Sequence, residues 1–255
     1  MIYFTSDCHL FHKRILDYEE ATRPFTSIEA MNEYIITIWN RTVKPEDEVY
    51  VLGDFIMGDI KNVEYILSRL NGHITLVRGN HDTPAKLEEY KRLGVEVKDI
   101  VYIPYKGRFF IGCHFPMNNE EFINMVRKDN SEVVWLYGHI HSNAPKGYVD
   151  GTYHIGMDTN DLAPISIEQI WQESWPEEIM TPEIEAYKIA HMTLPNLDSG
   201  MFAAVEPMQQ MAIDKMLSIN IEPINYQSCL EEDLQKSLKK LSEELTKNIC
   251  SKGIL

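Results

Sequence analysis

One recurrence constrains this chain more than any other feature: short β-type runs that each stop at glycine, aspartate, asparagine or histidine. Ile2 to Thr5 leads into Asp7-Cys8-His9, Val49 to Leu52 into Gly53-Asp54, and Ile74 to Arg78 into Gly79-Asn80-His81-Asp82. Phe109 to Cys113 leads into His114, and Val133 to Tyr137 into Gly138-His139-Ile140-His141. Rigid strands that end in polar loops are where binding residues usually sit, and glycine lets the backbone turn sharply toward a ligand. The pattern predicts a sheet-based domain with its chemistry gathered at the strand ends.

Between the strands, Ser27 to Val43, Asn62 to Leu70 and Ala85 to Leu93 carry helical spacing. This alternation is the signature of an α/β or layered α+β domain. A hairpin is expected at Tyr105-Lys106-Gly107-Arg108, where Gly107 is free to take the positive φ of a tight turn. Composition changes near Trp175. Beyond it lie only Gly200 and Gly253 of the 13 glycines, but half of the 12 methionines. The organisation expected is a catalytic domain over 1–174 and a helical C-terminal appendage over 175–255. In the appendage Ser228 and Glu231 form a capping pair, and Leu230, Leu234, Leu238, Leu241, Leu245 and Ile249 recur at helical spacing. That stripe fits packing on the chain's own core or a homo-oligomer interface.

The apolar runs fall far short of the roughly 20 residues a membrane helix needs, so no membrane segment is expected. The start, Met1-Ile2-Tyr3-Phe4, has no basic stretch ahead of an apolar one, which points to a cytoplasmic protein. A formal charge of −15 repels phosphate backbones and disfavours non-specific nucleic-acid binding. Cys8, Cys113, Cys229 and Cys250 fall in no metal-binding spacing and read as reduced thiols.

Asp7, His9, Asp54, Asn80, His114, His139 and His141 together offer carboxylate, amide oxygen and imidazole without thiolate. That set suits Mn²⁺, Fe²⁺, Zn²⁺ or Ni²⁺. It is too large for one tetrahedral site and suits two ions sharing a carboxylate. In extended backbone, residues two apart face the same side, so Asp7 with His9 and His139 with His141 are expected to address one pocket each. His12, Lys13 and Arg14 follow the first pair; they fit a phosphate contact or a solvated loop. His73, His154 and His191 have no such support and read as ordinary residues, and Trp135 and Tyr137 as packing.

The ordered set Asp-x-His, Gly-Asp, Gly-Asn-His-Asp, His, Gly-His-x-His resembles the calcineurin-like metallophosphoesterase superfamily over residues 1 to about 160. His154-Ile155-Gly156-Met157-Asp158 followed by Pro164-Ile165-Ser166 resembles the end of its small stand-alone bacterial and phage members. The resemblance implies a four-layer α-β-β-α sandwich and two divalent metal ions, manganese first among them. Asp7, His9 and His141 would hold one ion, Asn80, His114 and His139 the other, and Asp54 would bridge them. His81 would be the proton donor and Asp82 would orient it. The implied reaction is direct attack on a phosphoester by a hydroxide bridging the two ions. The substrate would be a small or nucleotide-like phosphodiester, with a phosphomonoester, a nuclease substrate and a non-catalytic scaffold as the other readings. Cys8 and Cys113 sit beside ligands, where oxidation or a thiophilic metal would be felt.

Overall fold

A computed structural model describes residues 1–117 and 133–176. The appendage helix expected from Ser228 onward lies outside them. The elements in chain order are β1 (Ile2–Thr5), α1 (Ile15–Tyr18), α2 (Ile28–Thr42), β2 (Glu48–Leu52), α3 (Lys61–Leu67), β3 (His73–Val77), α4 (Pro84–Arg92) and β4 (Glu96–Lys98). There follow β5 (Val101–Tyr105), β6 (Arg108–Gly112), β7 (Val133–Tyr137), β8 (Tyr148–Val149), β9 (Thr152–His154), β10 (Ile165–Ser166) and α5 (Ile167–Ser174). They build a mixed α/β architecture of two sheets and several helices, consistent with the sandwich that the resemblance implies. One sheet has the order β10-β1-β2-β3-β4 and the other β5-β6-β7-β9-β8.

The direction of the strands is what places the site. β1, β2, β3 and β4 are parallel, with Tyr3 opposite Val49 and Val49 opposite Ile74, so their C-terminal ends meet at one edge. β6, β7 and β9 are likewise parallel, with Ile111 opposite Trp135. The bridge between Ser6 and Gly156 and the bond from Met157 N–H to Ser6 O join the end of β1 to the segment after β9. Ligand sites of parallel sheets form outside the carboxyl ends of their strands.

Helix α2 shows how sequence dictates the support. Ser27 caps it by accepting from Ala30 N–H at 3.1 Å, and Ile28, Met31, Ile35, Ile36 and Trp39 form its buried face. Trp39 stacks on Phe55, and Phe55 on Tyr90 of α4, so the residue just after Asp54 is clamped by two helices. On the same helix the buried Asn32 accepts the Phe11 N–H at 3.1 Å, which fixes the loop beyond β1.

Several elements depart from the expected boundaries. α3 ends at Leu67 rather than Leu70, because Ser68 turns its hydroxyl onto Tyr65 O and Gly72 takes φ 93° before β3. β4, β8, β9, β10 and α5 are additions. β4 is a three-residue strand with charged ends at the edge of its sheet, where charges discourage further pairing. β8 and β9 pair antiparallel around Asp150-Gly151, both at positive φ, the Asp-Gly hairpin turn. α5 is capped by Ser166 accepting from Gln169 N–H.

Candidate metal centre

Every strand end named by the sequence converges. The loop after β1 runs beside the loop after β2, with Asp7 N–H on Gly53 O at 3.1 Å and His9 N–H on Asp54 O at 3.0 Å. Glycine is required where these loops touch. A Cβ on Gly53 would lie 2.6 Å from the Gly79 Cα and from His114 Nδ1. One on Gly79 would lie 2.6 Å from Asp54 N, and one on Gly138 would overlap Ser6 Oγ and Asp7 Oδ2.

The backbone that presents the ligands is not the extended one the i, i+2 spacing predicts. Asp7, His9, His139 and His141 are left-handed, with φ of 55, 47, 73 and 52°, and Asp54 has φ 53°. Each such non-glycine residue costs about 1–2 kcal/mol, and such residues cluster where function demands a particular side-chain direction. Asp7 and His9 still face one group of donor atoms, whereas His139 and His141 turn to different ones.

The donor atoms form two groups. In the first, His9 Nε2 is 3.9 Å and His141 Nε2 3.8 Å from Asp7 Oδ1. In the second, His114 Nε2 is 2.7 Å and His139 Nδ1 2.9 Å from Asn80 Oδ1, and the two ring nitrogens are 3.3 Å apart. Asp54 Oδ2 lies between, 3.7 Å from His9 Nε2 and 3.6 Å from His114 Nε2. Asp7, His9 and His141, and separately Asp7, Asp54 and His114, bring one donor atom each within 4.8 Å of one another.

Electrostatics argue that a cation belongs here. Asp7, His9, Asp54 and His114 are all buried. Asp7 Oδ1 and both ring nitrogens of His9 have no hydrogen-bond partner among the described residues. An unmet buried polar atom costs about 1–3 kcal/mol. His114 Nδ1 faces Leu52 O at 2.8 Å, and a carbonyl can only accept, so Nδ1 carries the proton and Nε2 keeps its lone pair. That lone pair points at the Asn80 amide oxygen and at His139 Nδ1. The unpartnered Asp7 Oδ1 and His9 nitrogens, and the close approach of Asn80 Oδ1, His114 Nε2 and His139 Nδ1, are a donor set that two divalent ions would satisfy. Burial raises the Asp7 carboxyl above its usual range, lowers His9 and, with His114, lowers His139. Burial also opposes protonation of His141, but the Asp158 hydrogen bond and the Asp7 charge outweigh it and raise that ring.

The remaining expectations divide. His81 stands at the exposed side of the site, with its N–H on Asp54 Oδ1 at 2.8 Å and its Nε2 3.9 Å from Asp54 Oδ2. The idea that Asp82 orients the His81 ring is corrected by its contacts. Asp82 Oδ2 accepts the N–H groups of Gly79 and Asp54 at 2.8 and 2.9 Å, and Oδ1 has no partner among the described residues. Asp82 therefore ties the loops after β2 and β3 together. His12 lies beside His9, ring centroids 5.3 Å apart, whereas Arg14 stacks over Tyr18 at 4.8 Å. The expected thiol sensitivity also needs correcting. Cys8 and Cys113 are buried, burial raises both thiols, Cys113 to about 11, and neither is a thiolate at neutral pH. His73 is exposed, His154 is buried on Thr159, and His191 is outside the described residues.

Arg23 escaped the sequence reading, and Asp158 entered it only as the end of a resembling motif, with no role at the site. Asp158 accepts from His141 Nδ1–H at 2.8 Å, and the buried Arg23 holds Asp158. An Arg-Pro pair in a loop and an aspartate far along the chain carry no local signal that could have linked them.

A two-sheet α/β fold with candidate metal-binding groups at its strand ends is consistent with a metal-dependent phosphoester hydrolase. Residues 1–195 match the calcineurin-like phosphoesterase family, and the chain belongs to it. The match runs past residue 174. The chain is 34% identical over 176 residues to the uncharacterized protein MJ1445 of Methanocaldococcus jannaschii, covering 66% of this chain and 88% of that protein. It is 25% identical to the gene 66 protein of Mycobacterium phage D29, covering 64% of this chain and 92% of that protein. Among solved structures it is similar to a protein of unknown function, AQ665 from Aquifex aeolicus, at 29% identity and a TM-score of 0.55, covering 68% of this chain and 98% of that one.

Proposed function

We propose that this chain hydrolyses a small or nucleotide-like phosphodiester in a single displacement, with manganese as the preferred metal. The observation that carries the reading is the pair of donor groups with Asp54 between them, in which the buried Asp7 Oδ1 and both His9 ring nitrogens have no hydrogen-bond partner among the described residues. Asp7, His9 and His141 would hold one ion and Asn80, His114 and His139 the other, with Asp54 between. Two bound divalent ions would supply positive charge for the phosphoryl oxygens and lower the pKa of water at the site.

The chain's own groups do the rest. Water oxygen attacks phosphorus in line and gives up a proton to solvent, the opposite P–O ester bond breaks, and the leaving oxygen takes a proton from His81, which regains one from solvent. His81 suits that role because its side chain is exposed on the substrate side while its backbone is pinned to Asp54. Asp82 keeps the loops carrying Asp54 and Asn80 in register. Of the rings beside His9, those of His12 and His81 are not proposed ligands, and imidazoles are a weaker match for a dianion than ammonium or guanidinium, which is why a diester is the substrate proposed. In this reading the enzyme works in the cytoplasm, and the stripe from Leu230 to Ile249 serves core packing or self-association.

Rates on a bis-aryl phosphodiester and the matching monoester, with Mn²⁺ and after chelation, test this. The expectation is metal-dependent diester turnover exceeding monoester turnover. A monoester preference would make the enzyme a phosphatase, and no turnover of either would favour the scaffold reading.

A further inference from the structure

One buried polar cluster in the described structure is built on two residues outside the expected ligand set and meets that set at the His141 ring and the Asp7 carbonyl. Arg23, in the connection between α1 and α2, is 1% exposed, and the side chain of Asp158 is fully buried. Arg23 Nε and Nη2 donate to the two Asp158 oxygens at 2.7 and 2.9 Å. Nη2 also donates to Asp7 O at 2.6 Å, and Nη1 donates to Cys8 O at 3.0 Å and faces Met31 Sδ at 3.7 Å. The guanidinium has five N–H groups and here finds five acceptors. Asp158 is equally satisfied: Oδ1 accepts from Arg23 Nε and the Thr22 hydroxyl, Oδ2 from Arg23 Nη2 and His141 Nδ1.

Two consequences follow from this geometry. A carboxylate can only accept, so Asp158 fixes the proton of His141 on Nδ1 and leaves the Nε2 lone pair directed at Asp7. The carbonyls that Arg23 grips belong to Asp7 and Cys8, the strained left-handed stretch that aims Asp7 and His9. A buried ion pair contributes little net stability, and its best-attested use is to specify one arrangement.

We propose that Arg23 and Asp158 are positioning residues that assemble the pocket of Asp7, His9 and His141, with Asp158 acting through His141 and Arg23 through the backbone of Asp7 and Cys8. The proposal rests on the metal reading above. Outer partners of a ligating histidine typically set metal affinity by 10- to 100-fold.

The test is Mn²⁺ binding by titration calorimetry on the full chain, with urea unfolding of the metal-free protein alongside. Asp158→Asn should weaken one of two ions by about 10- to 100-fold and leave the other within about threefold. In a His141→Ala background, adding Asp158→Asn should change Mn²⁺ affinity by less than about threefold, since the residue it acts through is gone. Thr22→Val removes one bond to Asp158 without a charge and covers the case in which Asp158→Asn does not fold; it should weaken the same ion by a smaller factor. Wild-type affinities in Asp158→Asn, an equal loss with and without His141, or an equal loss of both ions would overturn the proposal. A wild-type chain that binds no Mn²⁺ would instead overturn the metal reading itself.

Discussion

Gly138→Ala probes the closeness of the strand ends without confounding backbone strain, because Gly138 is not among the residues at positive φ. A Cβ there would overlap Ser6 Oγ and Asp7 Oδ2 and lie 2.6 Å from Ser6 Cβ, so something must retreat by about an ångström to reach ordinary contact. Ser6 cannot move freely, since its hydroxyl donates to Leu52 O at 2.6 Å. The Asp7 carboxylate is the easier group to displace, and its Oδ2 accepts the His139 N–H at 2.9 Å. Overpacking of this kind costs about 1–3 kcal/mol and an orphaned buried N–H about 1–3 more. Metal-free Gly138→Ala should therefore lose about 2–6 kcal/mol in urea unfolding. Because Asp7 is one of the three residues proposed to hold the first ion, affinity for that Mn²⁺ should fall at least tenfold, which corresponds to only ~1.4 kcal/mol of that disturbance. Gly94→Ala is the control: at φ 85° with nothing within 4 Å of the new Cβ, it should cost about 1–2 kcal/mol and leave Mn²⁺ binding unchanged. Gly138→Ala with wild-type stability and affinity would show that the loops do not meet as described.

Other consequences are open to direct measurement. His154 is buried and its pKa is lowered from 6.5 to about 4, burial being the main cause. The unfolded chain therefore takes up this proton first as pH falls, so its contribution is intact above about pH 6.5 and lost progressively down to about pH 4. The loss is about 3 kcal/mol. His154→Gln should flatten the stability profile across that window by a similar amount, and an unchanged profile would contradict the assignment. Asp82→Ala should cost about 2–5 kcal/mol in thermal or urea unfolding by leaving the Gly79 and Asp54 N–H groups unmet, whereas His81→Gln should lower turnover with little change in stability. Peptide mapping after alkylation at pH 8 should find Cys8 and Cys113 protected in the native chain and modified once it unfolds; rapid native labelling of either would refute their burial.

The residues that make the site were legible because their chemistry is local. Glycines at 53, 79 and 138 and the polar residues beside them announce close approach and metal affinity with no knowledge of the fold, and β1, β2, β3, β6 and β7 fall within a residue of where their apolar runs place them. The manner of presentation was not legible. Extended backbone was the natural reading of Asp7-Cys8-His9, but left-handed φ at Asp7 and His9 is held in place by groups distant in sequence, Gly53, Asp54 and Arg23 among them. The link from Arg23 to Asp158 spans 135 positions, and no periodicity or capping rule reaches so far. By contrast, the Asp150-Gly151 hairpin and the Ser166-Gln169 cap of α5 did carry local signals of established kinds. They were passed over because their strands are only two or three residues long.

The central claim is that two ions share Asp54 and that phosphoester hydrolysis depends on both. Counting Mn²⁺ per chain by native mass spectrometry for the chelated and reconstituted wild type and for Asp54→Asn, with diester turnover measured on the same samples, tests it most directly. The account predicts two ions and turnover in the reconstituted wild type, at most one ion and a loss of most turnover in Asp54→Asn, and no turnover after chelation. Wild-type turnover in Asp54→Asn, or turnover that survives chelation, would contradict it.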